Sequence, residues 1–318
     1  MPMKVDIISE WTGEIGEVTI GATKKEGGSR CAAIVIGGGS GFPFLGGSAP
    51  GRKPLIAFEF CDDPKLWSPI VTEFEGDVVN DAGAWAARAE ERHRPDLLRF
   101  YLTSTRRRGF QEFSQVGRSV EEVLERSTLP LIVEGSIDPA IDSETFLRCG
   151  EAGEGERLLL GTAEEGRYRS VAAAAMAYGH SVIAQSPIDV NLAKQLNILL
   201  RETGVPHDRI VIDPYTGALG YGFEYSYSAM ERIRYAALKG DEDLAMPMVS
   251  SAIDSLNIKE VREADPGQRG EMAVKWELYT AVSSAIAGAS VVCVRHPDTI
   301  VPLRSAIDSL WGKTGGGD

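Results

Sequence analysis

The stretch SVIAQSPIDVNLAKQLNILLRETGVPHDRIVID, Ser181–Asp213, decides the fold. It opens on an apolar run, Ser181–Gln185. Asp189 follows as a good N-cap, and Leu192, Leu196, Leu199 and Leu200 then fall on one helical face. Gly204 stands where that helix would end, and Arg209–Asp213 is a second apolar run. Strand, helix and strand within about 30 residues make a βαβ unit.

The same alternation extends in both directions. Upstream, Leu55–Phe60, Leu98–Leu102, Leu129–Glu134 and Arg157–Leu160 read as strands; downstream, Met246–Ser250 and Val291–Arg295 do. Their near-continuous apolar character suits a parallel sheet covered on both faces. Helical faces separate them: Val116, Val120, Val123 and Leu124; Met272, Trp276, Tyr279, Val282 and Ile286; and Ile300, Leu303, Ile307 and Leu310. Eight βα units in succession predict an α/β fold, a (β/α)8 TIM barrel. Two connections, Cys61–Asp77 and Ser251–Gly270, are long enough to be lids or binding loops.

Ahead of the barrel, Glu17–Ile20 and Cys31–Ile36 flank a glycine-rich charged turn, which predicts an N-terminal β-hairpin appendage. Residues 1–50 are read as this segment packed on the barrel, 51–314 as the barrel and 315–318 as a disordered tail. The run IVIGGGSGFPFLGG is read as a connection, because no G-x-G-x-x-G is completed and Pro43 blocks a following helix.

The 318 residues are 43% hydrophobic and 25% charged, enough for a large core, and the net charge of −13 argues against nucleic-acid binding. No start segment or apolar run predicts export or a membrane span, so the expectation is a cytoplasmic protein. The four cysteines lack metal-type spacing; Cys31, Cys61 and Cys293 are expected as reduced core thiols.

Barrel active faces lie at the C-terminal strand ends, which here carry Glu59, Glu134, Gln185, Ser186, Asp213, Arg295 and His296 among others. Glu59, Glu134 and Asp213 can converge, but no nucleophile–base pair stands out. His180 and His207 fall on the opposite face and are expected at the surface. The most distinctive segment is VIDPYTGALGYGFEYSYSAMERIR, Val211–Arg234, where glycines alternate with Tyr215, Tyr221, Phe223, Tyr225 and Tyr227. Permissive backbone beside flat aromatic surface suits a broad planar ligand or a protein interface.

That segment, with GATKKEGGSR, IVIGGGSGFPF, SPIDVNLAKQLNILL and VVCVRHP, resembles the small (delta) subunit of the corrinoid iron–sulfur protein of the carbon monoxide dehydrogenase/acetyl-CoA synthase system. The resemblance spans about Glu17 to Trp311. It implies a heterodimer whose large subunit carries the iron–sulfur cluster and a corrinoid (cobalamin), with no iron–sulfur cluster in this chain. The cobalt would take methyl from methyltetrahydrofolate, through a methyltransferase, to acetyl-CoA synthase, while this barrel covers the corrinoid. Asp213, Tyr215, Thr216, Gly217, Gln185 and Ser186 are the expected corrinoid contacts, with Gly217 at an open loop tip. No metal-binding or catalytic residue is assigned. The loop TSTRRRGFQEFS is more basic than the family pattern, and Thr162 stands in place of an expected Asn. The alternative reading is a free-standing pterin-dependent methyltransferase barrel.

Overall fold

The computed structural model describes residues 11–42, 51–135 and 138–312. Two short strands, β1 (Glu17–Ile20) and β2 (Ile34–Gly37), pair antiparallel as the expected hairpin. The barrel strands are β3 (Leu55–Cys61), β4 (Leu97–Tyr101), β5 (Leu131–Glu134), β6 (Leu159–Ala163), β7 (Ser181–Gln185), β8 (Ile210–Asp213), β9 (Val249–Ser251) and β10 (Val291–Val294). They lie in the order β8-β7-β6-β5-β4-β3-β10-β9, with parallel neighbours throughout. At the remaining seam Ile212 bridges Met248, and the Ile212 N–H donates to the Pro247 carbonyl at 2.9 Å. The sheet is therefore nearly closed into the expected (β/α)8 barrel.

Helices α1 (Pro69–Glu75), α2 (Ala82–Arg88), α3 (Phe113–Arg126), α4 (Pro139–Ala152), α5 (Tyr168–Tyr178), α6 (Val190–Glu202), α7 (Phe223–Leu238), α8 (Lys259–Arg262), α9 (Arg269–Ala287) and α10 (Ile300–Trp311) connect the strands. Asp189 caps α6 as expected, accepting from the Asn191 and Leu192 N–H groups at 2.9 and 3.0 Å.

Strand side chains alternate, so inward positions recur every second residue. Ala57, Leu97, Ile132, Ile183, Val211 and Val249 form an apolar inner layer, and Val18, Ile20 and Ile36 of the hairpin pack beneath it. The hairpin thus plugs the N-terminal end of the barrel. Arg30, in the segment joining β1 to β2, is buried. It donates to Glu156 at 2.8 Å and to the Leu124 and Ser127 carbonyls at the end of α3, both at 2.6 Å. A cation at a helix C-terminus satisfies orphan carbonyls and meets the negative end of the dipole.

Several expectations need correction. Cys31 is exposed, because it precedes β2 instead of lying in it, while Cys61, Cys149 and Cys293 are buried. The fourth barrel strand begins two residues late and runs on to Ala163, so Thr162 belongs to it. The seventh is displaced to Val249–Ser251, where Pro247 has no N–H to give the ladder. Helix α9 turns Ala273, Glu277, Thr280, Ala281 and Ser284 inward, and Tyr279 is exposed. Small residues let this helix lie close to the sheet, and Met272, Trp276 and Val282 of the expected face pack partly buried at the flanks of the contact. Both long connections contain helix: α1 in the first, α8 in the second. His180 is buried, accepting from the Leu158 N–H at Nδ1 (3.1 Å) and donating from Nε2 to the Gly150 carbonyl (2.9 Å). Burial lowers its pKa, in keeping with a neutral ring that satisfies two backbone groups. The expected tail at 315–318 and much of the connection after Phe42 lie outside the described residues.

Because Ile20 is fully buried in the plug, Ile20→Ala is expected to cost about 2–5 kcal/mol. Urea denaturation followed by circular dichroism measures this; a loss below about 1 kcal/mol would mean that the hairpin rests on the barrel without sealing it.

Candidate functional site

Two residues beyond the apolar layer, the same alternation brings a polar layer to the open end of the barrel. Ala57 is followed by Glu59, Leu97 by Arg99, Ile132 by Glu134, Ile183 by Gln185, Val211 by Asp213, Val249 by Ser251 and Cys293 by Arg295. These side chains line a cavity of about 380 Å³, with Leu66, Trp67, Tyr101, Arg106, Tyr215 and Asp254 at its rim. That volume is in the range of small-molecule sites.

Arg99 organises the mouth. Its Nη1 reaches Glu59 at 3.0 Å and the Ser251 hydroxyl at 2.8 Å; its Nε donates to Glu134 at 2.8 Å, and Nη2 also pairs with Glu134. Burial would drive the guanidinium to lose its proton, but Glu134 and Glu59 more than offset this and hold its pKa well above the usual value. Glu59 in turn accepts from Arg295 Nε at 3.1 Å and pairs with its Nη2. The Arg295 guanidinium lies 4.0 Å over the Trp67 ring. The three carboxylates expected to converge all line this cavity; Arg99 joins Glu59 to Glu134, and Arg295 pairs with Glu59.

Asp213 is buried. Its Oδ2 accepts from the Gln185 amide and its Oδ1 from the Tyr215 N–H, both at 2.8 Å. Burial raises its pKa, with Arg99 and these hydrogen bonds opposing. Tyr215 is 42% exposed and directs its hydroxyl to Asp254 at 3.2 Å. It also borders a second hollow of about 330 Å³, shared with Ile188, Gly217, Tyr221 and Lys259.

Of the other expected contacts, Thr216 lines the mouth, Gly217 borders the second hollow and Ser186 reaches neither. Thr216 is buried with its hydroxyl on Ser250 at 2.7 Å. Ser186 is buried and does not line the mouth; its N–H donates to the Asp213 carbonyl at 2.9 Å. Gly217 is not at an open tip. Its N–H donates to Ser226 at 3.0 Å, and a Cβ there would lie 3.1 Å from backbone atoms of Tyr221 and Gly222. A side chain there would need the facing backbone to give by a few tenths of an ångström. Phe223 is buried under it, whereas Tyr221 and Tyr225 remain exposed.

Arg99, Trp67 and Asp254 were not singled out from the sequence. The available signal was Arg99 itself, a lone charge inside the apolar run LLRFYL. Glu277 of α9 was missed as well. Fully buried, it accepts the N–H groups of Arg295 (2.7 Å) and His296 (3.1 Å) and the Thr299 hydroxyl (2.6 Å), fixing the end of β10. His296 accepts from the Asp298 N–H at 3.2 Å, a capping role. Among the described residues no group of three or more His, Cys, Asp and Glu is placed to hold a metal ion, and no helix is long and apolar enough to cross a membrane.

Fold and site together define a (β/α)8 barrel plugged at one end and open at the other onto a charge-matched mouth of ligand size. Residues 17–301 match the family described as CO dehydrogenase/acetyl-CoA synthase delta subunit, and the chain belongs to that family. It is 34% identical to acetyl-CoA decarbonylase/synthase complex subunit delta 1 of Methanosarcina thermophila, over 98% of this chain and 75% of the relative. It is 36% identical to subunit delta of the corresponding complex of Methanopyrus kandleri, over 94% and 76%. Among solved structures it resembles a dihydropteroate synthase from Coxiella burnetii in complex with pteroic acid. That match has a TM-score of 0.60 at 14% identity over 94% of this chain and 100% of the other, a likeness of fold.

Arg99→Ala leaves the half-buried Glu134 without its cation and the buried Glu59 with Arg295 alone, so a loss of about 3 kcal/mol is expected in chemical denaturation. A loss under about 1 kcal/mol would mean that Glu59 and Glu134 are satisfied without it. Glu277 gives a pH signature. Burial pushes its carboxyl from the ordinary 4.5 to about 7, against the hydrogen bonds from Thr299 and the Arg295 and His296 backbone. The folded state therefore holds this proton more tightly than the unfolded chain. Its contribution to stability is complete below 4.5 and is lost as pH rises through about 7. Glu277→Gln cannot ionise, so relative to the parent it should gain about 3 kcal/mol between about pH 4 and about pH 8. Parallel pH–stability curves for the two proteins would contradict the assignment.

Proposed function

We propose that this chain is the small subunit of a heterodimeric corrinoid iron–sulfur methyl carrier. In this reading it covers the corrinoid held by the large subunit while methyl passes from methyltetrahydrofolate, through a methyltransferase, to acetyl-CoA synthase. The observation that carries the reading is the rim at the β8–α7 turn, in a member of the delta-subunit family. There Tyr215 and Tyr221 present exposed rings beside a hollow, on a turn pinned by Gly217. A broad flat ligand fringed with amides calls for that combination of aromatic surface and rigid backbone. The relatives' description as complex subunits supports a partner chain.

Tyr215 and Tyr221 border the outer hollow and are the side chains placed to meet the corrinoid; Gln185 and Thr216 line the inner cavity, and Ser186 is buried and lines neither. The cobalt of the bound group would supply the methyl-carrying chemistry. This chain's part is to shield one face and set its position. The second reading, a pterin-dependent methyltransferase, draws on the dihydropteroate synthase likeness and the polar mouth. It is the weaker one, because both oxygens of Asp213 already accept hydrogen bonds within the chain.

Co-expression with a corrinoid-binding, cysteine-rich large subunit is expected to give a 1:1 complex burying on the order of 2,000 Å² or more. Light scattering measures its mass. In that complex, Tyr215→Ala combined with Tyr221→Ala should slow cobalt-dependent methyl transfer about tenfold, while the melting temperature of the free subunit stays within about 2 °C. A large subunit that elutes separately at micromolar concentration would sink the reading, as would unchanged transfer by the double variant.

A further inference from the structure

Most charges in the mouth are spent on one another, and the ones left over are informative. Among the described residues Arg106 makes no hydrogen bond or ion pair, although its guanidinium lies 4.7 Å over the Tyr101 ring and lines the cavity. Desolvation lowers its pKa; Glu134 and Glu59 oppose this, while repulsion from Arg295 and Arg167 adds to it. Arg295 gives Nε and Nη2 to Glu59. Its Nη1 makes no hydrogen bond among the described residues, yet it is not sealed from solvent. Two mutually repelling guanidinium groups therefore offer free N–H donors to one cavity.

The acceptors show the complementary pattern. Among the described residues Gln185 spends its amide N–H on Asp213 and leaves Oε1 without a donor, and Asp254 accepts only the Tyr215 hydroxyl and pairs with no cation. Both line the same cavity. Unpaired donors and unpaired acceptors facing one hollow select a ligand that carries both complements, because each unmatched group costs binding free energy.

We infer that the barrel mouth binds a dipolar small molecule, with an oxyanion seated on Arg106 and Arg295 and N–H donors directed to Gln185 and Asp254. A bare anion would leave the acceptors unmatched and would meet the nearby carboxylates. A neutral amide would leave the arginines unmatched. The cavity of about 380 Å³ admits a ring with a carboxylate but is too small to enclose a corrin. The site lies within this chain and goes beyond the proposed corrinoid role, so it is tested on the chain alone, without corrinoid or partner.

The probes are orotate, which has a carboxylate and two ring N–H groups, uracil, which keeps the N–H groups, and benzoate, which keeps the carboxylate. Isothermal titration is expected to show 1:1 orotate binding at millimolar or tighter affinity, with uracil and benzoate each at least about tenfold weaker, a difference of about 1.4 kcal/mol. Arg106→Gln, at an exposed position, should weaken orotate about tenfold without changing the melting temperature. Asp254→Asn should weaken it less, since an amide oxygen still accepts. No saturable orotate binding to the parent chain, equal binding of benzoate, or full affinity in the Arg106 variant would each overturn the inference. None of these outcomes bears on whether a corrinoid-carrying partner binds the rim.

Discussion

A guanidinium inside a barrel cannot be left to water, and Arg99 is inside this one. Its five N–H donors point into a space bounded by strands on all sides, so each needs an acceptor held by another strand. Glu59 comes from β3, Glu134 from β5 and Ser251 from β9, and each meets Arg99 within hydrogen-bonding distance. That requirement ties the register of β3, β4 and β5 to electrostatics as well as to the backbone ladder. Sliding one strand by one residue would turn its charge into the helical layer and expose its partners unpaired. Arg295 extends the set to β10 through Glu59, and Glu277 holds the backbone from which Arg295 projects.

The division between the two ends of the barrel follows from the same alternation. Two residues along each strand separate an apolar inner layer from a charged one. The apolar layer is sealed by Val18, Ile20 and Ile36, so no water reaches the charges from below. The charged layer therefore faces solvent only through the mouth. An ion set in that position is worth more than a surface pair, because screening by salt and water reaches it from one side alone.

Reading the chain as residues locates the strands well where apolar runs are bounded by turns. Ser181–Gln185 is placed as observed, and Leu55–Phe60 is one residue short. The misses are physical in origin. The β6 run continues through Gly161 and Thr162, residues that break an apolar pattern without breaking the strand. Helix α9 fully buries small and polar side chains and only half-buries Met272, Trp276 and Val282, so its most buried face is not its most hydrophobic one. The carboxylates of the mouth were legible because strand ends are polar by position. Arg99 was not, since its meaning depends on residues up to 152 positions away, as with Ser251. Sequence proximity carries no trace of such a bond.

Tyr215 shows how the rim is held. Its φ of 61° is in the left-handed region, where a residue with a large side chain pays about 1–2 kcal/mol. Two contacts offset that cost: its N–H on Asp213 and its hydroxyl on Asp254. The conformation bends the chain between Pro214 and the buried Thr216, and it throws the ring outward between two hollows. Glycine at this position would adopt the same backbone without strain but would leave the rim bare. The strain is thus the cost of putting an aromatic ring at that spot. Since Asp213 supports the backbone of Tyr215 while Gln185 supports Asp213, the exposed ring is fixed through a buried chain of hydrogen bonds that ends among the charges of the mouth.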